Sequence, residues 1–266
     1  MRSIRLRLHA IVALALAGCA TLPAGPSDPA ENDPIEPFNR QVFAFNQALD
    51  HHVIKPVAKA YRDALPEPVR NSLRAFFDNL REPVVFANDL LQGRGEAAGI
   101  SGRRFLINST VGVLGFVDRA TEFGLPKQSG DFGQTLYVWG VGDGPYLMLP
   151  FFGPSNVRDT LGLGVDAYAA PVSRIGQWDG QQTTTFAIGA TDGVDLRSRN
   201  IESLDAIEAG SLDFYAYLRS VWRQNRQAKL DEAKGVKATD DELVDPGAGA
   251  TTPAPTPTPS PPRPSP

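Results

Sequence analysis

A single cysteine, Cys19, occurs in the 266 residues. No disulfide can form within the chain, so packed side chains and hydrogen bonds must hold the fold. The residues before Cys19 fall into three parts. Arg2, Arg5 and Arg7 make a positive start, Ile11 to Ala17 is a short apolar run, and Leu16-Ala17-Gly18 leads up to the cysteine. That order marks a secretory signal. The apolar run is far shorter than the ~20 residues a helix needs to cross a bilayer. Residues 1–18 therefore read as a targeting segment that takes no part in the fold.

Leu16-Ala17-Gly18-Cys19 resembles the bacterial lipobox, in which the cysteine receives a diacylglyceryl group and becomes the mature N-terminus. Each buried CH₂ contributes ~0.8 kcal/mol, so two or three acyl chains make a lasting anchor. Ala20 follows the cysteine, where an aspartate would suggest retention at the inner membrane of enteric bacteria. Residues 19–32 read as a lipid-anchored linker and 231–266 as a disordered tail. The stretch from Pro246 to Pro266, largely Thr, Pro, Ala and Ser, has no large apolar residue to offset the entropy of ordering. Residues 33–230 remain, which suits one domain. The chain has 26 basic and 30 acidic residues. Loss of the three signal arginines widens the acidic excess, which argues against a nucleic-acid partner.

Through the body the apolar spacing is mainly helical. Phe38, Val42, Phe45, Leu49 and Val53 recur at three and four over Pro34–Lys59, with Pro56 placed to kink or end that helix. Val69, Leu73, Phe76, Phe77 and Leu80 make the stripe of a second helix, which Pro83 is expected to break. Another helix is expected from Gly95 toward Asn108, and helical character returns over Ser203–Leu230. Thr110 to Val117 is apolar around nearly its full circumference, so it belongs either in the core or in a membrane. The residues alone favour the core. Phe132–Pro154 is punctuated by glycines and prolines. It reads as a hairpin-like loop whose apolar arms, Leu136–Trp139 and Tyr146–Leu149, are joined by Gly140-Val141-Gly142-Asp143-Gly144-Pro145. Long glycine-rich segments of this kind tend to be functional.

Catalytic chemistry is hard to place. A hydrolase needs a nucleophile and a base. Beyond the signal the only histidines are His51 and His52, whose adjacent side chains on a helix point about 100° apart. There is no Gly-x-Ser-x-Gly elbow, and no cluster has zinc spacing. The loop Gly140–Pro145 lacks the spacing of a nucleotide-binding turn. No catalytic residue, metal or cofactor is assigned.

Four strings carry a family resemblance. They are Asp33-Pro34-Ile35-Glu36-Pro37-Phe38-Asn39-Arg40 with Phe43, Phe45-Asn46 and Asp50; Arg104-Phe105-Leu106-Ile107-Asn108-Ser109-Thr110 with Gly112, Gly115, Phe116 and Asp118; Asp131-Phe132-Gly133-Gln134-Thr135-Leu136 with Trp139 to Gly142, Gly144-Pro145-Tyr146 and Leu149-Pro150; and Gly153-Pro154-Ser155 with Arg158-Asp159. In this order they resemble the MlaA (VacJ) family of outer-membrane lipoproteins.

The resemblance implies a mainly α, ring-shaped single helical domain embedded in the outer membrane, lipid-anchored on its periplasmic side. A glycine-rich hairpin-like loop would line a central channel. Phospholipids mislocalised in the outer leaflet would pass through it to a periplasmic lipid carrier of an ABC transport system, preserving lipid asymmetry. Trimeric porins would be neighbours. Gly133, Gly140, Gly142, Gly144, Pro145, Tyr146 and Pro150 are then the candidate channel or gate. Arg40, Arg104 and Arg158 (with Arg103) are candidate headgroup contacts. The competing role for each arginine is an ion pair or helix-end cap, which the residues alone favour. The alternative function is a scaffold lipoprotein that organises porins or envelope machinery without handling lipid.

Overall fold

The computed structural model describes residues 32–171 and 182–235. The expected signal segment, Cys19 and all but the first few residues of the expected tail lie outside them. Within them the chain is a mainly helical single domain with one two-stranded antiparallel sheet.

Helix α1, Glu36–Leu49, starts with an acidic residue and a proline in its first turn, both favourable at a helix N-terminus. A π-helical turn, Asp50–Ile54, carries it directly into α2, Lys55–Ala64. Pro56 has no N–H to offer the ladder, and the Lys55 N–H bonds back to the Asp50 carbonyl. The proline therefore opens the next segment instead of ending the helix.

Helix α3 runs unbroken over Glu67–Leu91 with Pro83 inside it, so the expected break at that proline does not occur. A mid-helix proline costs about 3 kcal/mol. Helix α4, Gly95–Thr110, lies along α3, and this tertiary contact offsets the loss.

After Thr110 the chain does not stay helical, and it does not turn inward. Val111, Val113 and Leu114 are exposed, the last two at 64% and 69%. This corrects the expectation that the segment is core. Asp118 caps the single turn α5, Arg119–Glu122.

The Phe132–Pro154 region differs in its arms from the expected hairpin. Its first arm is helix α6, Phe132–Val138. Asp131 accepts from the Gln134 backbone N–H and the Gln134 side chain reaches back to the Asp131 N–H, a full capping box. The hairpin itself is β1, Tyr146–Leu149, against β2, Gly153–Asn156, with Tyr146 opposite Asn156 and Leu149 opposite Gly153. Asn156 caps α7, Val157–Ala169. Then follow α8, Gln182–Arg199, α9, Ile201–Gly210, and α10, Phe214–Ala233. The helix expected over Ser203–Leu230 is thus two helices, the second started by the Asp213 cap.

The apolar core joins α1, β1 and α10. Phe43, Tyr146, Met148 and Tyr215 are buried together, with Phe214, Leu218 and Trp222 against them. The rings meet edge to face at 5.5–6.2 Å, a favourable aromatic geometry. Two asparagines on α1, seven residues apart and so on one helix face, bind β1 to the helix. Asn39 donates to the Tyr146 carbonyl (3.1 Å) and accepts from the Met148 N–H (2.9 Å). Asn46 donates to the Leu149 carbonyl (2.9 Å) and accepts from the Phe151 N–H (3.0 Å). Two primary amides thereby take the place of a third strand along the edge of β1.

Candidate functional site

Among the described residues polarity is inverted relative to a water-soluble domain. Large exposed apolar side chains outnumber large buried ones, and many polar residues are buried. The periodic stripe read over α1 and the π-helical turn is split: Val42 packs against the core, but much of the rest faces outward. Phe38, Phe45 and Val53 are about half exposed, while Asn39 and Phe43 face inward. Exposed apolar residues continue through Phe86, Leu90, Leu106, Phe123 and Tyr168. Surface leucines singly placed mean little, but apolar surface on this scale marks an interaction face. Among the described residues no helix is long and apolar enough to cross a membrane.

Two exposed tips are strained. Val113 (φ 54°) and Leu114 (φ 57°) follow α4, and Phe151 (φ 69°) forms the turn between β1 and β2. The left-handed region costs a non-glycine residue roughly 1–2 kcal/mol. Phe151 is 68% exposed and its neighbour Phe152 70%. The strain thus displays large apolar side chains, and Asn46 together with the Phe45 ring fixes the Phe151 tip to α1.

Polar side chains fill the space between α3, α4, α6 and α7. Asn88 donates to Asp166 (2.9 Å) and accepts from the Thr135 hydroxyl (2.8 Å), and Gln92 donates to Thr135 (3.1 Å). Ser101 donates to Asp89. Burial pushes the Asp89 carboxyl up to about 6 despite Arg94 nearby, because desolvation penalises the charged form. Burial likewise raises Asp166.

The three candidate headgroup arginines are all engaged within the protein. Arg40 pairs with Glu36 (2.7 Å) and Asp213 (2.6 Å). Arg104, 1% exposed, is bonded to Glu82, Asp118, Thr121 and the Leu125 carbonyl. Arg158, also buried, pairs with Asp143 and Asp159 at 3.0 Å each. The ion-pair role is the one these side chains occupy. Arg103 bonds the Gly99 carbonyl. His51 faces Glu208 and His52 the Ala48 carbonyl, so the pair does not converge.

The glycines divide by role. Gly133 sits where α6 meets α7. A Cβ there would stand 2.5 Å from Asp159 Oδ1, and one on Gly162 would stand 2.4 Å from the Gly133 nitrogen. This close helix contact needs two glycines, and the sequence reading found only one. Gly140 (φ 91°) follows the end of α6 and Gly144 (φ 67°) abuts Val157, whereas Gly142 has open space around it. Pro145 is half-buried, Tyr146 buried and Pro150 exposed at the hairpin turn. The loop from Gly140 to Pro145 is tied down at Asp143, through both its backbone and its carboxylate, to Arg158.

Beside this loop lies a cavity of about 570 Å³ between β1, β2 and α10, lined among others by Asp143, Tyr146, Asn156, Arg219, Trp222 and Arg223. Arg219, Arg223 and Arg226 stand four and three apart on α10, one face of the helix. That stripe escaped the sequence reading, although its spacing was there to find. Arg226 clamps the helix starts beneath: it pairs with Asp131 at 2.6 Å and with Asp159 at 2.7 Å. Burial works to raise the Asp131 carboxyl, but the Arg226 bonds win and hold it low.

A model of the MlaA lipoprotein family matches residues 31–229. The Escherichia coli (strain K12) protein named "Intermembrane phospholipid transport system lipoprotein MlaA" is 33% identical over 255 residues, covering 91% of this chain and 98% of that one. The Haemophilus influenzae protein of the same name is 34% identical over 231 residues, 85% and 90% of the two chains. A solved structure described as "Structural basis for maintenance of bacterial outer membrane lipid asymmetry" superposes with a TM-score of 0.67 at 33% identity, covering 74% of this chain and 98% of that chain. With the family match spanning most of its length, the chain belongs to the MlaA lipoprotein family.

Proposed function

We propose that this chain is an outer-membrane phospholipid-transport lipoprotein. It is held by acyl chains on Cys19, withdraws mislocalised phospholipid from the outer leaflet, and hands it to a periplasmic carrier. The relatives' names, which specify intermembrane phospholipid transport, support the assignment. So does the neighbour's description in terms of outer-membrane lipid asymmetry.

The observation that carries the reading is the inverted polarity. A protein that exposes phenylalanines and leucines while burying Asn39, Asp89, Arg104 and Gln134 is built for an apolar surrounding and a polar interior. Since no described helix is long and apolar enough to cross the bilayer, the apolar elements would lie in the membrane beside acyl chains. The strained Val113-Leu114 and Phe151-Phe152 tips would reach deepest, and the Gly140–Pro145 loop would serve as the gate beside the lipid path. Trimeric porins would be its membrane neighbours. Deletion of the gene should raise phospholipid in the outer leaflet, read by an outer-leaflet acyltransferase or by surface labelling, and sensitise cells to detergent. An unchanged outer leaflet in the deletion strain sinks the proposal.

A further inference from the structure

The end of the domain where α2, α3 and α8 meet gathers arginines around too few carboxylates. Asp195 on α8 is 0% exposed. Its Oδ2 accepts from Arg74 Nε on α3 (3.3 Å) and pairs with Arg199 Nε (3.1 Å), and its Oδ1 accepts from the Tyr61 hydroxyl on α2 (3.3 Å). Arg70 stands one turn before Arg74, on the same face of α3. Its Nε is buried without a hydrogen-bond partner, and Tyr61 feels its charge together with that of Arg74. Three guanidinium groups thus stand about one carboxylate. The acids nearby are taken, Asp192 by Arg81 and Glu202 by Arg62. The pairing also sets direction. Asp195 holds Arg74 and Arg199 by Nε, and Arg74 Nη1 reaches Asn71 (3.3 Å). The other terminal N–H groups of these two arginines are left to the surroundings, and each side chain is about a third exposed. Exposed apolar residues flank the cluster: Val69 beside Arg70, Val57 one turn before Tyr61, and Leu196 one turn before Arg199.

We infer that this cluster docks on the phosphates of membrane phospholipid headgroups, with Arg70, Arg74 and Arg199 as the donors. An arginine fork matches phosphate oxygens. Charge alone would suit an acidic protein equally well. The exposed valines and leucine decide for lipid, because at a bilayer surface aliphatic side chains sit among acyl chains while guanidinium groups beside them reach the phosphates. The cluster fixes the α2–α3–α8 end of the domain at headgroup depth. The inference rests on the membrane placement proposed above.

The test uses the full mature lipoprotein in vesicles of equal parts phosphatidylglycerol and phosphatidylcholine. Cys19 is the only cysteine and carries the acyl chains, so Val69→Cys or Phe152→Cys gives a single site for a fluorophore. Nitroxide lipids then quench it from the headgroup or from the acyl chain. The label at 69 should be quenched more by the headgroup nitroxide, and the label at 152 more by the acyl-chain nitroxide. Adding Arg70→Gln should shift the label at 69 about five-fold from the headgroup layer toward water, the weight of one arginine at an anionic surface. Arg70→Lys should largely keep the quenching. Arg70 Nε has no hydrogen bond to lose, so the unfolding midpoint should stay unchanged, and thermal unfolding checks that each variant is folded. A label at 69 reached only by a water-soluble quencher, while the label at 152 is still quenched from the acyl chains, overturns the inference, leaves the membrane placement standing and turns this surface over to an acidic protein. Equal headgroup quenching with and without Arg70→Gln in folded protein also overturns it. Loss of lipid quenching at both positions sinks the membrane placement and the inference with it.

Discussion

Replacing Asn39 by alanine tests whether side-chain amides do the work of a strand. Asn39 is 0% exposed. Its amide donates to Asp33 Oδ1 (2.7 Å) and to the Tyr146 carbonyl, and its oxygen accepts from the Met148 N–H. Alanine strands a buried backbone donor, a buried backbone acceptor and part of a carboxylate. Each unmatched group costs about 1–3 kcal/mol, so the loss should be about 4 kcal/mol. Asn46 makes the same pair of backbone contacts one step along the hairpin, but it is only half-buried. Water can replace its amide, and Asn46→Ala should cost about 1 kcal/mol. At 2–4 °C per kcal/mol for a domain of this size, the unfolding midpoint in detergent should drop roughly 10 °C for Asn39→Ala and a few degrees for Asn46→Ala. Circular dichroism and resistance of the hairpin to protease read both. Equal shifts for the two variants, or a loss below about 1 kcal/mol for Asn39→Ala, would refute the reasoning.

Four other outcomes are expected. Gly162→Ala forces a Cβ to within 2.4 Å of the Gly133 nitrogen and should destabilise by about 2 kcal/mol through overpacking. Gly142→Ala enters open space and should stay within about 0.5 kcal/mol of the wild type, so a transport defect in Gly142 variants would report on the gate and not on the fold. Phe151→Asn should relieve left-handed strain and keep or raise stability. The same change should weaken partition into lipid vesicles about ten-fold or more, since burying one phenylalanine is worth about 1.5–3 kcal/mol. Asp89 is raised to about 6 in the fold from 3.8. Its contribution is fully present below about pH 4 and is lost as pH rises through 6, a span of about 3 kcal/mol for a fully buried group. Asp89→Asn should therefore flatten the change in unfolding midpoint between pH 4.5 and 7.5.

How much of this was legible in the sequence depended on whether the signal was local. The period of Phe38, Val42, Phe45 and Leu49 places a helix correctly. It does not say which way the stripe faces, because apolar residues point outward when the surroundings are apolar, and Phe38 and Phe45 do. The same assumption misplaced Val111 to Val117. Pro83 was read by its intrinsic cost, which tertiary contact with α4 overrides. The first arm of the glycine-rich region was misread although Asp131-x-x-Gln134 is a capping signature that announces a helix. The candidate gate glycines were found by composition. Their different duties emerge only in space, where Gly133 meets Gly162 and Gly142 meets nothing. Among the carboxylate partners of the arginines named for headgroups, Glu36 lies four residues from Arg40 and Asp159 adjoins Arg158, both within local reach, whereas Asp213 lies 173 residues from Arg40, and no local pattern could have supplied that one. The α10 stripe was a missed local signal.

Mass spectrometry of lipid retained by the intact protein, extracted from outer membrane in mild detergent, tests the central claim most directly. The account predicts phospholipid bound in defined stoichiometry and lost when the Gly133–Pro154 region is altered in variants that still fold. Protein that carries no phospholipid while remaining associated with porin would contradict it and favour a scaffold instead.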